Sequence, residues 1–228
     1  TGSISTSDDY DVYAIELSQA GQVTLSFRTT ERDYNGWIYE IFDPQGNLLA
    51  GDACSSSTCQ NGITLSAGIA GSGTHYIQIR SAVSYASPSG EYTFSVNFSN
   101  DTGGIELEPN DTSSTAQSIP LSQDITGSIS TSDDYDVYAI ELSQAGQVTL
   151  SFRTTERDYT GWTYEIYDPQ GNLLAGDECS GSTCQNGITL SAGIASSGTH
   201  YIRIRSASSY GSPAGQYTFS VTFNADTT

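Results

Sequence analysis

The sequence predicts an all-β protein of two tandem antiparallel β-sandwich domains. Three observations lead there: a duplicated body, period-two alternation through most of each copy, and short turn-rich segments between the alternating runs. Residues 1–100 and 126–225 align without a gap at an offset of 125, and 86 of the 100 pairs are identical. A unit of about 100 residues is an ordinary domain size, and the period is far too long for a solenoid. The domains expected are therefore 1–100 and 126–228, with 101–125 as a linker and lead-in to the second. Duplication favours two similar binding surfaces, or a doubled spacer, over a new active site.

The strands follow in order along each copy. Tyr13, Ile15 and Leu17 alternate with Ala14 and Glu16. After a turn at 18–21, Val23, Leu25 and Phe27 face one way, while Gln22, Thr24, Ser26 and Arg28 face the other. The run WIYEIF at 37–42 ends at the DPQGN turn of 43–47. Past Gly71 and Gly73 the alternation resumes at 76–80, and Tyr92, Phe94, Val96 and Phe98 share the last apolar face. One apolar and one polar face mark antiparallel sheets wetted on one side. The apolar face needs a second sheet to cover it, which makes a sandwich. About eight strands per copy are expected, and no helix.

Each copy carries one cysteine pair, Cys54 and Cys59 in CSSSTC, Cys179 and Cys184 in CSGSTC. Four cysteines allow three pairings, and free thiols are the alternative. Duplication favours the local pairing, because each copy must have folded alone. A zinc site is the poorer reading, since neither pair has a nearby histidine or a second pair at zinc-finger spacing.

Composition points outside the cell. There are 26 acidic residues against 7 basic ones, for a net charge of −19. All the basic residues are arginine, and the acidity is spread over both copies. That field repels phosphate backbones and anionic membranes, so nucleic acid and membrane are not the expected partners. It suits a solvated surface, divalent cations or neutral polymers. The chain opens in a strand-like stretch, so the reading is of a fragment or processed product, secreted and extracellular.

The segment 101–125 becomes specific at its centre. Glu106, Glu108, Asn110 and Asp111 place four oxygen-bearing side chains within six positions. A solvated acidic linker is one reading. A metal-binding lead-in is the other, because like charges so close repel unless something neutralises them. Asp133, Asp134 and Asp136 stand before the next alternating run, with duplicates at Asp8, Asp9 and Asp11. Carboxylates without histidine or thiol select calcium over zinc or copper. The expectation is that Glu106, Glu108, Asn110 and Asp111 fold back to meet Asp133 and Asp136 around one calcium ion.

ELEPNDTSSTAQSI followed by TGSISTSDDYDVYAIEL resembles the bacterial pre-peptidase C-terminal domain, a family related to the collagen-binding domains of clostridial collagenases. The likeness covers nearly all of 106–225, and the first copy shares the body without the lead-in. The resemblance implies a jelly-roll-like β-sandwich, used as an accessory module of secreted bacterial hydrolases. It also implies calcium held by Glu106, Glu108, Asn110, Asp111, Asp133 and Asp136. In the first copy the matching residues are Asp8 and Asp11, so that site is either crippled or completed before Thr1.

Catalysis has little support. His75 and His200 are the only histidines, in equivalent GTHYI runs without an evident nucleophile. Binding has more. The chain holds 15 tyrosines and 2 tryptophans against 7 phenylalanines, an excess of aromatics that work in water. Tyr34 and Trp37, with Glu31, Arg32 and Asp33, form one candidate sugar-binding loop; Tyr159 and Trp162, with Glu156, Arg157 and Asp158, form its duplicate. For the tryptophans core is the favoured reading, with Trp37, Tyr39 and Ile41 on one inward face, and ligand contact the alternative. Tyr85 and Tyr210, in polar turn-rich loops, either stack on a ligand or pin their loops. The expected role is a non-catalytic, monomeric accessory module, covalently part of a larger secreted hydrolase. It would bind an insoluble polysaccharide or an extracellular matrix polymer through two similar sites. Collagen or another protein, and a calcium-stabilised spacer or export-related domain, are the alternatives.

Overall fold

The computed structural model describes residues 1–155, 157–209, 211–213 and 215–226. It divides into two compact units, Thr1–Thr102 and Gly103–Thr228. The acidic lead-in thus belongs to the body of the second unit.

In the first unit, β1 (Tyr10–Leu17), β6 (Gly73–Ser81), β3 (Asp33–Phe42) and β4 (Leu48–Ser55) form one sheet in the order β1-β6-β3-β4. The facing sheet is β5 (Ile63–Ile69), β2 (Gly21–Thr29) and β7 (Tyr92–Ser99), in the order β5-β2-β7. Every pairing is antiparallel. The alternation of β2 is read directly in its burial: Val23, Leu25 and Phe27 are buried, and Gln22, Thr24 and Ser26 are half-buried on the other side.

The second unit repeats this plan and enlarges both sheets. β13 (Leu173–Cys179), β12 (Trp162–Tyr167), β15 (Gly198–Ser206), β10 (Tyr135–Leu142) and β8 (Gln117–Ser118) make the first, in that order. β14 (Ile188–Ile194), β11 (Gly146–Thr154), β16 (Tyr217–Ala225) and β9 (Ile125–Gly127) make the second. β8 lies parallel to β10, the exception to the antiparallel rule among these named strands. The expected eight strands per copy are therefore seven and nine: β8 comes from the lead-in, and β9 joins its last residue, Ile125, to the first two of the body.

Helix is present where none was expected. One short helix follows β4, α1 (Ser56–Asn61), and another follows β13, α2 (Ser182–Gln185). Each lies in the cysteine loop, which alternation cannot read because no sheet passes through it. Cys54–Cys59 and Cys179–Cys184 are disulfide-bonded, with Cα separations of 5.3 and 5.4 Å. All four cysteines are buried.

The two cores are near copies. Phe27 stacks on Tyr39 at 5.2 Å and tilts against Trp37 at 5.9 Å, and Phe152 does the same with Tyr164 and Trp162. Trp37 and Trp162 are both 0 % exposed. The reading of these two as ligand-stacking residues is corrected: alternation turns positions 37, 39 and 41 inward together, and burying so large a ring outweighs any use for it outside. His75 and His200 are buried as well, each with Nδ1 beside a glycine carbonyl, at 3.2 Å from Gly73 and 3.1 Å from Gly198.

Candidate functional site

The lead-in is stapled to the second body by backbone and braced within itself by one glutamine. Glu106 N donates to Thr126 O and Thr126 N to Gly104 O, each at 2.9 Å. Val137 N donates to Asn110 O at 3.1 Å, and Ile119 N to Ala139 O at 3.0 Å. Gln117 closes the loop on itself: its Nε2 donates to Ile105 O and its Oε1 accepts from Leu107 N, both at 2.8 Å. The bond between Glu108 and Pro109 is cis.

This folding carries the acidic side chains inward. Glu106, Glu108 and Asp136 offer oxygens within 4.8 Å of one another, and all three are buried. Asn110 is fully buried between them, donating from N to Glu108 Oε2 at 3.0 Å. Glu106 Oε2 accepts from Ser128 N at 2.8 Å, and Glu106 Oε1 lies 3.3 Å from the Tyr217 hydroxyl. The Tyr217 hydroxyl donates to Asp136 Oδ2 and is hydrogen-bonded to that of Tyr138. Gly127 makes room for the group, since a Cβ there would stand 2.6 Å from Tyr217 Cζ and 2.7 Å from Glu106 Oε2.

Two oxygens in the cluster lack any hydrogen-bond partner, Asn110 Oδ1 and Asp136 Oδ1. A buried oxygen without a donor costs about 1–3 kcal/mol, more when charged. Burial, and after it the charges of Glu106 and Asp134, pushes Glu108 up to about 10. Burial likewise raises Glu106 and Asp136, and takes Asp134 to about 7. Carboxylates so placed are stabilised either by protons or by a cation. The donor set of carboxylates, one amide oxygen and phenol hydroxyls is the oxygen chemistry of a hard divalent ion.

The predicted residues divide. Glu106, Glu108, Asn110 and Asp136 come together at the centre. Asp111 lies at the margin, its Oδ1 3.5 Å from Tyr135 N. Asp133 is exposed, while its neighbour Asp134 is buried and accepts from Ser130 N and Oγ at 2.6 and 2.8 Å. The expectation that the Asp133 side chain joins the cluster is corrected: the turn hydrogen-bonded to Asp134 sends residue 133 outward. Asp134, Tyr138 and Tyr217 were missed. The tyrosines read as ordinary inward strand residues, and nothing local marks their hydroxyls as reaching a carboxylate. In the first unit Asp8 is exposed, and Asp11 accepts from Tyr92, whose hydroxyl lies 2.7 Å from that of Tyr13.

The aromatic loops sit elsewhere, beside the disulfide. Tyr34 and Tyr159 are 77 % and 79 % exposed, and Tyr85 is 81 % exposed. The Tyr34 and Tyr85 loops are tied by Asn35 Nδ2 to Ser87 O at 3.2 Å and Ala82 N to Gly36 O at 3.1 Å. Tyr159 borders a surface pocket of about 410 Å³ with Thr160, Glu178, Ser180 and Thr183. Glu31, Arg32 and Arg157 are exposed. Asp33 is corrected from ligand contact to turn residue. Its carboxylate accepts from Asn35 N at 2.6 Å, Ser89 N at 2.7 Å, Ser89 Oγ at 2.8 Å and Gly36 N at 3.3 Å. Burial opposes its ionisation, but those donors outweigh it and hold the carboxyl below the usual range. Asp158 caps the matching turn through Thr160 N at 2.6 Å. Glu156 and Tyr210 lie outside the described residues.

No protein-family model matches the chain, and no curated protein does. Among solved structures it is similar to the pre-peptidase C-terminal domain of a collagenase from Bacillus anthracis. The two are 24 % identical over 51 % of this chain and 100 % of that one, with a TM-score of 0.36. That is the family whose pattern the lead-in resembles. The chain is also similar to the M60 catalytic domain with the CBM51-1 and CBM51-2 domains from Clostridium perfringens ZmpB, at 7 % identity over 94 % of this chain and 34 % of that one, TM-score 0.28. A third is the N-terminal CBM22-1–CBM22-2 tandem domain from Paenibacillus barcinonensis Xyn10C, at 8 % identity over 93 % and 83 %, TM-score 0.26.

Proposed function

We propose that this chain is a non-catalytic accessory module of a secreted hydrolase, holding an insoluble polysaccharide through two similar tyrosine-bearing ends. The observation that carries the reading is the pair Tyr34 and Tyr159. Each is more than three-quarters exposed at the same place in a rigid sandwich. An exposed aromatic ring on a disulfide-braced end supplies an apolar plate for a sugar ring, with polar groups beside it for hydroxyls. Glu178, Thr160 and Thr183 border that plate in the second unit. Burial of the tryptophans leaves the tyrosines as the aromatic contacts of this reading.

The second unit is calcium-bound in this reading, through Glu106, Glu108, Asn110 and Asp136. The unpaired Asn110 Oδ1 and Asp136 Oδ1 support it, since a cation satisfies both at once. The ion's role is structural: it locks the lead-in to the body.

The test is retention on a panel of insoluble glycans and on collagen. Binding to a glycan, weakened in Tyr34→Ala plus Tyr159→Ala, is the expected result. Selective retention on collagen moves the chain to the protein-binding class. Retention on nothing leaves a calcium-stabilised spacer as the better account.

A further inference from the structure

Basic residues are scarce in this chain, and the second unit gathers two of the seven on one sheet face. Arg203 and Arg205 take successive outward positions of β15, opposite Glu165 and Thr163 of β12, while Ile202 and Ile204 turn to the core. Glu165 Oε2 accepts from Arg203 Nε at 2.8 Å, and Glu165 Oε1 stands 3.5 Å from Arg205 Nη2. Among the described residues Glu165 is the one carboxylate paired with either, so two guanidinium groups share a single negative charge. In the first unit the matching Glu40 holds Arg80 alone, through bonds of 2.9 and 3.1 Å, because position 78 is glutamine. The second unit therefore carries one more positive charge on this face.

Arg203 is also held in place. Its guanidinium lies 4.8 Å from the Tyr167 ring centroid and 5.6 Å from that of Tyr135, and Nη2 donates to the Tyr167 hydroxyl. The first unit has phenylalanine at the position of Tyr167, so the clamping hydroxyl and the guanidinium occur in the same unit. Nη1 has no acceptor among the described residues, and the side chain is 33 % exposed. A guanidinium clamped along one edge and open along another is preorganised for a carboxylate.

Arg203 lines a surface pocket of about 400 Å³ with Tyr167, Tyr201, Gln170, Asp111 and Thr112. Tyr167 closes β12, whereas Tyr159 precedes the start of that strand at Trp162, so this pocket and the Tyr159 loop lie at opposite ends of it. Tyrosine rings supply an apolar wall for a sugar ring, and the amide and hydroxyl beside them take its hydroxyls. The net charge of −19 opposes a polyanion, which leaves an otherwise neutral glycan with an isolated carboxylated sugar as the ligand that fits. Asp111 on the rim sharpens the choice, since a second carboxylate would meet it. We propose that the second unit binds a single hexuronic acid residue of a glycan in this pocket, its carboxylate on Arg203 and its ring against Tyr167 and Tyr201. The site is separate from the tyrosine-bearing ends and does not rest on their role.

The test titrates the full chain calorimetrically at neutral pH with a disaccharide of glucuronic acid and glucose, and with cellobiose, which lacks the carboxylate. The acidic sugar is expected to bind at one site per chain, about tenfold more tightly than the neutral one, and more weakly as salt is added. Arg203→Gln is expected to remove that preference. Glutamine stands at the matching position of the first unit, so the sheet accommodates it. Gln170→Ala, in an exposed turn outside the sheet, is expected to weaken both sugars and keeps the test valid should Arg203→Gln perturb the fold. Tyr34→Ala plus Tyr159→Ala is expected to leave the titration unchanged. No binding of either sugar, equal affinity for the two, or a preference that survives Arg203→Gln in a chain with unaltered circular dichroism overturns the inference. A preference lost in the double tyrosine variant and kept in Arg203→Gln moves the acidic sugar to the tyrosine-bearing ends and overturns it as well.

Discussion

The Tyr217 hydroxyl donates to Asp136 Oδ2, while Asp136 Oδ1, equally buried, has no donor at all. One oxygen of the carboxylate is satisfied by the protein and the other is not, in a side chain that offers an oxygen within 4.8 Å of those of Glu106 and Glu108. On the calcium-bound reading proposed above, the ion would complete that half. At about ten to one hundred times its dissociation constant, an ion bound only by the native state adds about 1.4–2.7 kcal/mol. For a domain of this size that raises the melting temperature by roughly 3–12 °C. Scanning calorimetry in calcium and in EDTA is expected to show the rise in one of two transitions, and Asp136→Ala to abolish it. A rise of equal size in Asp136→Ala would place the ion elsewhere.

The same cluster sets a pH dependence with an unusual sign. Burial raises Glu106, Glu108, Asp134 and Asp136, with Glu108 at about 10 and Asp134 at about 7. Because these folded values lie above the unfolded ones, 4.5 for Glu and 3.8 for Asp, the metal-free folded unit holds more protons than the unfolded chain in between. Stability then falls as pH rises from about 4 toward about 10, the reverse of a salt-bridged carboxylate. In EDTA the melting temperature of the second unit is expected to drop from about pH 5 to about pH 9, and calcium to flatten the slope. A metal-free unit that grows more stable over this range would contradict the buried, unpaired cluster.

Trp37 and Trp162 act on stability. Trp162→Ala removes a ring packed on Phe152 and Tyr217, and is expected to cost about 3–5 kcal/mol in urea unfolding. Trp162→Phe should cost distinctly less, because the indole Nε1 it deletes has no hydrogen-bond partner. Glycan retention by the folded Phe variant should match the parent. A selective loss of retention at unchanged stability would return the tryptophan to the binding surface.

On the proposed function, avidity is expected from the repeat of Tyr34 at Tyr159. Two equivalent plates on one chain convert the second contact into an intramolecular one, which raises retention on a dense polymer well beyond a single contact. Tyr34→Ala and Tyr159→Ala are each expected to weaken retention, and each by more than an additive two-site count allows. Depletion isotherms on the retained glycan measure this. A single variant that behaves like the parent would remove its unit from the site.

Much of this protein was legible in its residues. Alternation at 22–28 named Val23, Leu25 and Phe27 as inward-facing, since a strand's side chains leave one choice of face. The local cysteine pairs were legible because a five-residue separation and a duplicated fold limit the pairing. The lead-in advertised itself by packing Glu106, Glu108, Asn110 and Asp111 into six positions. Less was legible wherever a side chain's role depended on a distant partner. Asp133 and Asp134 are chemically equal in the sequence, and a turn through Ser130 chose which one to bury. Tyr138 and Tyr217 are 79 positions apart, and their hydroxyls meet over Asp136 only because two sheets close on each other.

Val12 and Val137 mark the boundary most sharply. They stand in identical octapeptides, so composition, propensity and period assign them the same fate. One is half exposed and the other is buried. Sequence by itself determined the strand, its face and its repeat, because those are properties of the local chain. The burial of Val137 was decided by the lead-in, whose Asn110 carbonyl accepts from Val137 N at 3.1 Å, and a residue's own sequence does not encode what packs on it from elsewhere.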